Sequence, residues 1–477
     1  MIKTHGLLIG KEWRKTNQTL PVVNPYTREA FAEISLATPP EIEQAIALAE
    51  KAFEKTRRLP AYTRSHICAS IAQGIHSRFE EFARTISMES GKPLIYARSE
   101  VDRSINTFKI AAEEALRIDG EQLTLDISEG ARGKAGLVRR YPIGPISGIS
   151  PFNFPLNLVA HKVAPAMASG NPIVLKPSSA TPLTALLLGE VILETEAPEG
   201  SFSVVPCHGH DATALVEDPR LKMITFTGSP AVGWDIKRRA GKKRVTLELG
   251  GNAAVIVEPD ADITTAAKKT AFGAFVFSGQ VCISVQRAYV HESRFAEFME
   301  HLVRETHAFK FGDPLDETTT FGPMIDRNNA DRIHSWVQNA VKSGARLVTG
   351  GKQDAGFVSP AILTGVDPGA DVCCKEAFGP VLVVEPYTDF DAVIRRVNDS
   401  TYGLQAGLFT NQMDKTLRAF NQLEVGGLIV NDVPTFRVDN MPYGGVKDSG
   451  FGREGIKYSI EEMTEIKLLV YNHYMED

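Results

Sequence analysis

The sequence predicts an α/β protein that starts with a helical segment and continues as two parallel-sheet domains. Three observations carry this prediction: helical periodicity through the first third, a hairpin pattern over residues 121–141, and alternation of short apolar strands with helices from Pro142 onward. With 477 residues, 43% of them hydrophobic, the chain is long enough for two or three domains with full cores. No Pro/Gly/Ser-rich linker separates the halves, so we expect a cleft between closely packed domains.

The first third of the chain is predicted to be mostly helical. Thr38 and Glu41 match a capping box, and apolar residues recur at helical spacing directly after them. A second amphipathic helix is predicted over residues 64–88, and the Gly-Lys-Pro sequence at residues 91–93 stops it. A further helix is predicted over residues 94–117.

Residues 121–141 predict a long exposed hairpin. Alternating segments at residues 123–127 and 137–141 flank a turn sequence at residues 129–133. Because a lone hairpin is only marginally stable in water, we expect it to lie against something else, and a partner subunit is a natural candidate.

The remainder of the chain alternates strands and helices. Strands are predicted at residues 173–175, 203–205, 223–226, 253–257, 281–291, 381–384 and 427–430, with helices at residues 182–194 and near Ala212. Such alternation is typical of βαβ units, whose parallel sheets bind dinucleotides at the carboxyl ends of their strands.

Composition excludes several classes of function. Lys plus Arg is 52 and Asp plus Glu is 58, and without a dense basic run the chain is not expected to bind nucleic acid. The sequence contains no apolar stretch of 18 residues and no signal-peptide pattern, so we expect neither a membrane span nor secretion. The five cysteines are scattered and lack metal-ligand spacing, which favours reduced thiols in the cytoplasm and no metal site.

Cys282 is a candidate nucleophile and Glu248 a candidate base. A cysteine attacks well as a thiolate, in a partly open pocket, and Gly279-Gln280 just before Cys282 fits such a pocket. The alternative is that Cys282 is one more small buried hydrophobe. Pairing of a thiol with the carboxylate of Glu248 favours covalent chemistry on a carbonyl.

Other candidates follow predicted strands. The G-x-G-x-x-G fingerprint of dinucleotide-binding folds is absent from the sequence. In its place, backbone N–H groups around Gly228 and the Ser229 hydroxyl can hold a pyrophosphate. The alternative is that Ser229 only caps the helix that follows. Lys176 ends a strand where it can donate to ribose hydroxyls, or it is a solvated surface residue. Asn153, between two prolines, can donate to an oxyanion or satisfy backbone in a turn.

Seven motifs, in order, closely resemble the NAD(P)-dependent aldehyde dehydrogenase superfamily over essentially the whole chain. They are Pro-Phe-Asn-Phe-Pro, Lys-Pro-Ser-Ser, Phe-Thr-Gly-Ser-Pro, Glu-Leu-Gly-Gly, Gly-Gln-Val-Cys, Lys-Glu-Ala-Phe-Gly-Pro and Pro-Tyr-Gly-Gly-Val-Lys. Residues 432–439 look like the branches that act on lactaldehyde, phosphonoacetaldehyde or semialdehydes. The resemblance implies an enzyme that oxidises an aldehyde to the free acid through a cysteine thiohemiacetal and thioester, with NAD or NADP as cofactor.

The resemblance also implies a role for each matching residue. Cys282 matches the nucleophile, Glu248 the base for deacylation, and Asn153 the oxyanion donor that works with the backbone N–H of Cys282. The positions that match cofactor-binding residues are Lys176, Ser179, Gly228, Ser229, Glu376 and Phe378. Many NAD-preferring relatives carry glutamate where this chain has Ser179, so NADP is not excluded electrostatically.

The domain layout implied by the resemblance has three parts. Residues 1–120 and 143–247 form a Rossmann-type dinucleotide-binding domain, residues 248–458 an α/β catalytic domain, and residues 121–142 and 459–477 a small β oligomerisation element. The hairpin would then pair with a terminal strand near residues 466–471. A homodimer or a homotetramer is implied, without a choice between the two.

Arg103, His161 and Arg287 are the candidates for substrate recognition. We expect them to converge on the far end of a short aldehyde that bears a hydroxyl or anionic group, such as lactaldehyde or phosphonoacetaldehyde. Structural roles are the alternatives: Arg287 paired with a carboxylate and His161 packed in the tunnel wall. A succinic-semialdehyde-type dehydrogenase and a non-catalytic relative remain alternative functions, although retention of all three catalytic candidates speaks against the latter.

Overall fold

The computed structural model describes residues 2–354 and 356–472 of the chain. Its helices are α1 (Pro39–Thr56), α2 (Ala61–Ser77), α3 (Phe79–Ser90), α4 (Leu94–Ala115), α5 (Asn157–Ser169), α6 (Leu183–Leu193), α7 (Thr213–Glu217), α8 (Pro230–Arg239), α9 (Ile263–Phe275), α10 (Glu292–His307), α11 (Arg327–Lys342), α12 (Asp371–Cys374), α13 (Phe390–Asn398), α14 (Met413–Gln422) and α15 (Ile456–Glu462). Short 3-10 turns occur at Glu129–Ala131 and Val276–Gly279.

The strands are short, as in most α/β proteins. They are β1 (Lys3–His5), β2 (Leu7–Ile9), β3 (Glu12–Arg14), β4 (Thr19–Val23), β5 (Ala30–Ser35), β6 (Glu121–Thr124), β7 (Lys134–Pro142), β8 (Ile146–Ile149), β9 (Ile173–Lys176), β10 (Phe202–Val204), β11 (Met223–Thr227), β12 (Arg244–Glu248), β13 (Ala253–Val257), β14 (Val285–His291), β15 (Arg346–Thr349), β16 (Gln353–Asp354), β17 (Phe357–Val358), β18 (Ala361–Thr364), β19 (Val381–Tyr387), β20 (Tyr402–Gly403), β21 (Gln405–Phe409), β22 (Gly427–Val430), β23 (Val446–Lys447), β24 (Gly450–Phe451) and β25 (Thr464–Asn472).

An eight-stranded sheet forms the first half of the molecule, in the order β24-β12-β11-β8-β9-β10-β2-β3. Its five central strands are parallel and run from β8 through β9 to β10 on one side and from β8 through β11 to β12 on the other. This reversal is the doubly wound arrangement, and it leaves a crevice between the carboxyl ends of β8 and β11. The loops that leave these two strands therefore face a common ligand space.

A seven-stranded sheet forms the second half, in the order β15-β18-β19-β14-β13-β21-β22. All of its strands are parallel except β15, and the central strands are buried on both faces because helices cover them. Strand β24, which comes late in the chain, pairs antiparallel with β12 of the first sheet. This pairing joins the segment before α15 to the first half of the molecule.

A separate three-stranded sheet has the order β25-β7-β6. The predicted hairpin pairs β6 with β7 as expected, and β25 pairs with β7 along its whole length, from Thr464 opposite Pro142 to Asn472 opposite Lys134. Apolar side chains of β25 remain exposed, among them Ile466, Leu468 and Leu469. The last five residues of the predicted oligomerisation element lie outside the described residues.

The helices and strands that the sequence predicts are present, with three differences. Residues 3–35, within the part predicted to be mostly helical, form strands β1–β5. The predicted helix over residues 64–88 is two helices, α2 and α3, because the backbone leaves helical geometry at Arg78 (φ −112°, ψ 26°). The strand predicted over residues 281–291 starts at Val285, and Cys282 lies in the turn before it. Among the helices of the described residues, none combines the length and apolarity that a membrane crossing needs.

Candidate active site

Cys282 follows a distorted turn between α9 and β14. Three consecutive residues of this turn, Phe277, Ser278 and Gly279, have positive φ angles of 49°, 55° and 69°. Left-handed backbone is costly for residues other than glycine and is concentrated at functional sites. A Cβ at Gly279 would lie 2.3 Å from the carbonyl oxygen of Gly379, so this position requires glycine. The conformation of the turn thus fixes where the Cys282 thiol lies.

Asn153 connects this turn to the first sheet. It lies in the loop after β8, is 3% exposed, and its Nδ2 donates a hydrogen bond to the carbonyl oxygen of Gln280 (2.9 Å). Because an amide nitrogen carries two hydrogens, one hydrogen remains for a ligand. The structure brings Asn153 and Cys282 together, and both line the same cavity.

Glu248 ends β12 as a buried carboxylate. Neither of its oxygens has a hydrogen-bond partner among the described residues. Burial raises the pKa of Glu248 well above its ordinary value, and the like charge of Glu454 raises it further, against the opposing charges of Arg437 and Lys162. A carboxyl group with such a raised pKa can act as a base or an acid near neutral pH.

A buried group of charges lies behind Glu248. Glu454, just before α15, accepts hydrogen bonds from Lys162 Nζ (3.0 Å) and from Arg437 Nη2 (3.1 Å), and Lys162 Nζ also donates to the Thr227 hydroxyl (2.7 Å). Burial by itself would raise the pKa of Glu454, but the Lys162 and Arg437 charges hold it below its ordinary value. Glu454 is therefore ionised, and its negative charge acts on Glu248.

Tyr443 touches the candidate nucleophile directly. Its hydroxyl oxygen lies 3.1 Å from Cys282 Sγ, and the Arg437 guanidinium lies over its ring at 3.6 Å from the centroid. Burial raises the pKa of the Cys282 thiol to about 11, while the hydrogen bond with Tyr443 and the charge of Arg437 act to lower it.

A cavity of about 370 Å³ opens at the crevice between β8 and β11. Gly228 and Ser229, which follow β11, line it together with Glu376, Phe378 and Cys282. Ser229 precedes α8 and makes no side-chain hydrogen bond to the helix, so its hydroxyl and the first N–H groups of α8 are available to an anion. These features fit the pyrophosphate of a dinucleotide.

The carboxyl group of Glu376 packs closely against the backbone of Gly250 and Gly251 beside this cavity. Its Oε1 accepts a hydrogen bond from the Gly251 N–H (3.0 Å), and a Cβ at Gly250 would lie 2.4 Å from its Oε2. Burial raises the pKa of Glu376 to about 7. The carboxyl group is thus positioned to accept hydrogen bonds from hydroxyl groups, as a ribose would offer.

Lys176 and Ser179 lie further along the same sheet edge. Lys176 ends β9 and is paired in register with Ile149 at the end of β8. The Ser179 hydroxyl donates to the Cys207 carbonyl oxygen (3.4 Å) just past the neighbouring strand β10. This edge of the sheet therefore carries the Lys176 ammonium group and the Ser179 hydroxyl, and residue 179 brings no carboxylate to it.

A second, larger cavity of about 700 Å³ adjoins the turn that carries Cys282. Phe277 and Val281 of the turn form part of its wall, and the aromatic rings of Phe154 and Tyr96 form another part. The charged residues that line it are Lys92, Arg103, Lys268, Lys269 and Arg437, against Glu100 and Asp432. Positive residues outnumber negative ones in the lining, and four of the five are ion-paired: Lys92 with Glu100, Lys269 with Asp432, Arg103 with Asp439 and Arg437 with Glu454.

Two of the three predicted substrate residues lie on this side of the site. Arg103 lines the larger cavity and its Nη2 donates to Asp439 Oδ1 (2.8 Å), while its buried Nε has no partner among the described residues. His161 is buried behind Asp439, with Nε2 2.9 Å from the same oxygen. Burial lowers the pKa of His161, so its ring is neutral and orients Asp439 instead of facing the cavity.

Arg287 does not join them, contrary to the expectation that the three cations converge. Its guanidinium donates to the carbonyl oxygens of Asn252 (3.0 Å), Arg396 (3.1 Å) and Val397 (3.1 Å). Arg396 and Val397 belong to the last turn of α13, where unpaired carbonyl groups attract a cation. Arg287 is therefore a buried structural residue of the second sheet, paired with carbonyl groups and not with a carboxylate.

Four residues of the site escaped the sequence analysis as individual candidates. They are Lys162, Arg437, Tyr443 and Glu454. Two of them had a weak signal in the sequence, because Arg437 lies within residues 432–439 and Tyr443 within Pro-Tyr-Gly-Gly. The contacts of Lys162 with Glu454 and of Tyr443 with Cys282 join distant chain segments, which no local pattern reveals.

Comparison with known proteins shows the family of the chain. A family model described as "Aldehyde dehydrogenase family" matches residues 13–469. The 3-sulfolactaldehyde dehydrogenase of Priestia megaterium is 44% identical over 472 residues, which cover 99% of this chain and 98% of that protein.

Two crystal structures are also similar. Aldehyde dehydrogenase 21 from Physcomitrella patens, in complex with the reaction product succinate, has a TM-score of 0.96 and 45% identity and covers 99% of each chain. The glyceraldehyde-3-phosphate dehydrogenase GapN from Methanocaldococcus jannaschii, complexed with NADP, has a TM-score of 0.92 and 39% identity, with coverage of 96% of this chain and 100% of the other.

Proposed function

The chain belongs to the aldehyde dehydrogenase family and is an NAD(P)-dependent oxidoreductase, and from this premise we propose that it oxidises a small anionic aldehyde to the free carboxylic acid. The observation that carries this proposal is that two arginines, Arg103 and Arg437, line the cavity beside Cys282 and each keeps a buried Nε without a partner among the described residues. The names of the three relatives point the same way, because 3-sulfolactaldehyde, succinate and glyceraldehyde-3-phosphate all carry an anionic group away from the reacting carbon.

Arg437 is the strongest candidate for binding the anion. It lines the larger cavity, its buried Nε has no partner among the described residues, and its guanidinium covers the ring whose hydroxyl touches Cys282 Sγ. We expect an anion two or three bonds from the carbonyl carbon to contact this guanidinium. Arginine suits the role because its planar fork binds sulfonate, phosphonate and carboxylate groups through paired hydrogen bonds. Arg103, with a free Nε on the same cavity, is a second contact.

Cys282, Asn153 and Glu248 are proposed to carry the chemistry. Attack of the Cys282 thiolate on the carbonyl places negative charge on the carbonyl oxygen, where the free N–H of Asn153 and the backbone N–H of Cys282 can stabilise it. One such preorganised donor lowers the barrier by about 3 kcal/mol. When bound, NAD(P) supplies the acceptor for the hydride, which no side chain can replace.

Hydrolysis of the resulting thioester requires an activated water molecule. Glu248 supports this role because both of its oxygens are free of partners and its pKa is raised by burial. The ionised Glu454 behind it keeps that pKa high, while Lys162 and Arg437 limit the rise. The proposed product is therefore the free acid.

A homodimer or homotetramer is proposed on the basis of the three-stranded sheet. Strand β25 exposes Ile466, Leu468, Leu469 and Val470, which are 48–58% exposed. Its outer edge has no neighbouring strand in the described chain, and such an edge is normally covered. A second copy of the chain that packs on this sheet would bury these residues.

Replacement of Glu248 by glutamine should separate acylation from hydrolysis. We expect Glu248→Gln to release one equivalent of reduced cofactor in a rapid burst and then to turn over about 100-fold more slowly than wild type, because the base for water is lost. Stopped-flow absorbance measures the burst, and intact-protein mass spectrometry detects the acyl group on Cys282. Cys282→Ala is the control that should give neither burst nor adduct, and full steady-state turnover of Glu248→Gln would contradict the role.

The choice of substrate can be tested with matched aldehydes. We expect kcat/KM to be highest for 3-sulfolactaldehyde or succinic semialdehyde, lower for lactaldehyde, and lowest for a long aliphatic aldehyde. In Arg437→Gln, kcat/KM for the anionic aldehydes should fall at least roughly tenfold further than for lactaldehyde, because one charge-assisted contact is lost. Lactaldehyde on the same variant is the control for damage to the site. Equal losses for anionic and neutral aldehydes would remove Arg437 from substrate binding.

Position 179 should govern the use of NADP. We expect Ser179→Glu to lower kcat/KM with NADP, relative to NAD, by at least roughly tenfold, because a carboxylate would repel the 2′-phosphate near Lys176. Ser179→Gln, of the same size but uncharged, should change the ratio far less. The ratio is measured from initial rates with each cofactor, and an unchanged ratio in Ser179→Glu would place the 2′-phosphate elsewhere.

The exposed three-stranded sheet predicts that the protein assembles into a homodimer or homotetramer. Leu468→Lys with Val470→Lys should lower the assembled fraction by at least roughly tenfold, since two charges would be buried at the interface. Size-exclusion chromatography with light scattering gives the molar mass. Ile95→Lys, on the exposed face of α4, is the matched control and should keep the wild-type mass. A wild-type protein that is monomeric at micromolar concentration would refute the assembly.

A further inference from the structure

The contact between Tyr443 and Cys282 points to a further catalytic residue. We infer that the Tyr443 hydroxyl donates a hydrogen bond to the Cys282 thiolate and so stabilises the charged form of the nucleophile, which is the form that attacks. The inference rests on the proposed role of Cys282 as nucleophile. It assigns a chemical role to a side chain that otherwise belongs to the wall of the site.

The geometry fits donation from oxygen to sulfur. The two atoms are 3.1 Å apart, within hydrogen-bond range for a sulfur acceptor, and among the described residues the hydroxyl has no other hydrogen-bond partner. Tyr443 is 2% exposed, so water does not compete for its O–H. The backbone N–H and carbonyl of Tyr443 both pair with Glu454, which fixes the ring in place.

The electrostatics favour the same direction of donation. Burial and the nearby sulfur charge raise the pKa of Tyr443 well above its ordinary value, so the phenol stays protonated while the thiol ionises. The Arg437 guanidinium on the ring face draws electron density from the phenol and strengthens its O–H as a donor. The thiolate is therefore the acceptor.

A thiolate in this position needs such support. Burial disfavours its charge, and the carboxylates of Glu376 and Glu248 disfavour it further. The groups that act in the opposite direction are the Tyr443 hydroxyl and, at longer range, Arg437. The hydrogen bond from Tyr443 is the larger of these two effects, and it acts on the sulfur directly.

Tyr443 neither gains nor loses a proton in the proposed step. The lone pair of the sulfur forms the bond to the carbonyl carbon, and the π electrons of the carbonyl move to its oxygen. The phenol keeps its hydrogen throughout, and its hydrogen bond weakens as the sulfur loses charge. The bond thus increases the thiolate fraction while it lowers the reactivity of each thiolate, by about half as much on a logarithmic scale.

This trade-off gives the test a distinctive outcome. In Tyr443→Phe, the pH at which alkylation of Cys282 by iodoacetamide reaches half its maximum should rise by about one unit. At neutral pH the rate should fall about threefold, whereas at the alkaline limit it should exceed that of wild type by about threefold. The two profiles should therefore cross.

The experiment follows Cys282 by peptide mass spectrometry, because Cys373 and Cys374 are also accessible. Rapid mixing limits exposure to alkaline pH to seconds. Tyr289→Phe is the matched control, since Tyr289 is also buried under an arginine, Arg396 at 4.6 Å from its ring centroid. Its alkylation profile should coincide with that of wild type.

The outcomes separate this inference from the proposed function. If the plots of alkylation rate against pH for Tyr443→Phe and wild type are parallel, whether or not the rates differ by a constant factor, the inference is overturned and the ring has only a packing role. Aldehyde oxidation that persists in Cys282→Ala would instead overturn the role of Cys282. Crossing profiles together with an inactive Cys282→Ala support both.

Discussion

The buried group of Lys162, Glu454 and Arg437 is the constraint on which the site depends. Each charge is almost completely removed from water, so each must be paired, and removal of one partner from such a group typically costs about 3–5 kcal/mol. The three residues come from α5, from the segment before α15 and from the loop after β22. Their pairing holds these segments at fixed positions around Glu248 and Tyr443. Structural integrity and the electrostatics of the site therefore have one origin.

The two sheets place the remaining groups. The doubly wound order of the first sheet opens a crevice between β8 and β11, and the loops after these strands carry Asn153 and Ser229. Glu248 ends the adjacent strand β12, and Cys282 precedes the first residue of β14 in the second sheet. The amide of Asn153 bridges the halves through the carbonyl of Gln280. The candidate catalytic groups thus lie at the junction between the two sheets.

How far the sequence predicts this arrangement depends on the range of the interactions. Capping at Thr38, the hairpin and the alternation of strands follow from neighbouring residues, and the motifs with Asn153, Glu248 and Cys282 carry a family pattern. Arg287 is close to Cys282 in the chain, yet β14 turns its side chain toward the carbonyl groups of α13. The break at Arg78 and the contacts of Arg437 depend on tertiary packing. Periodicity and motif spacing do not contain that information.

The two cavities are lined by different residues of the segment that carries Cys282. Cys282 lines the crevice that fits the dinucleotide, whereas its neighbour Val281 lines the cavity with the positive side chains. The two cavities share no lining residue among those of the described chain, so a dinucleotide in the first would leave the second open. In the proposed reaction the acid would therefore not have to wait for the nucleotide to leave, and the architecture would impose no fixed order of product release.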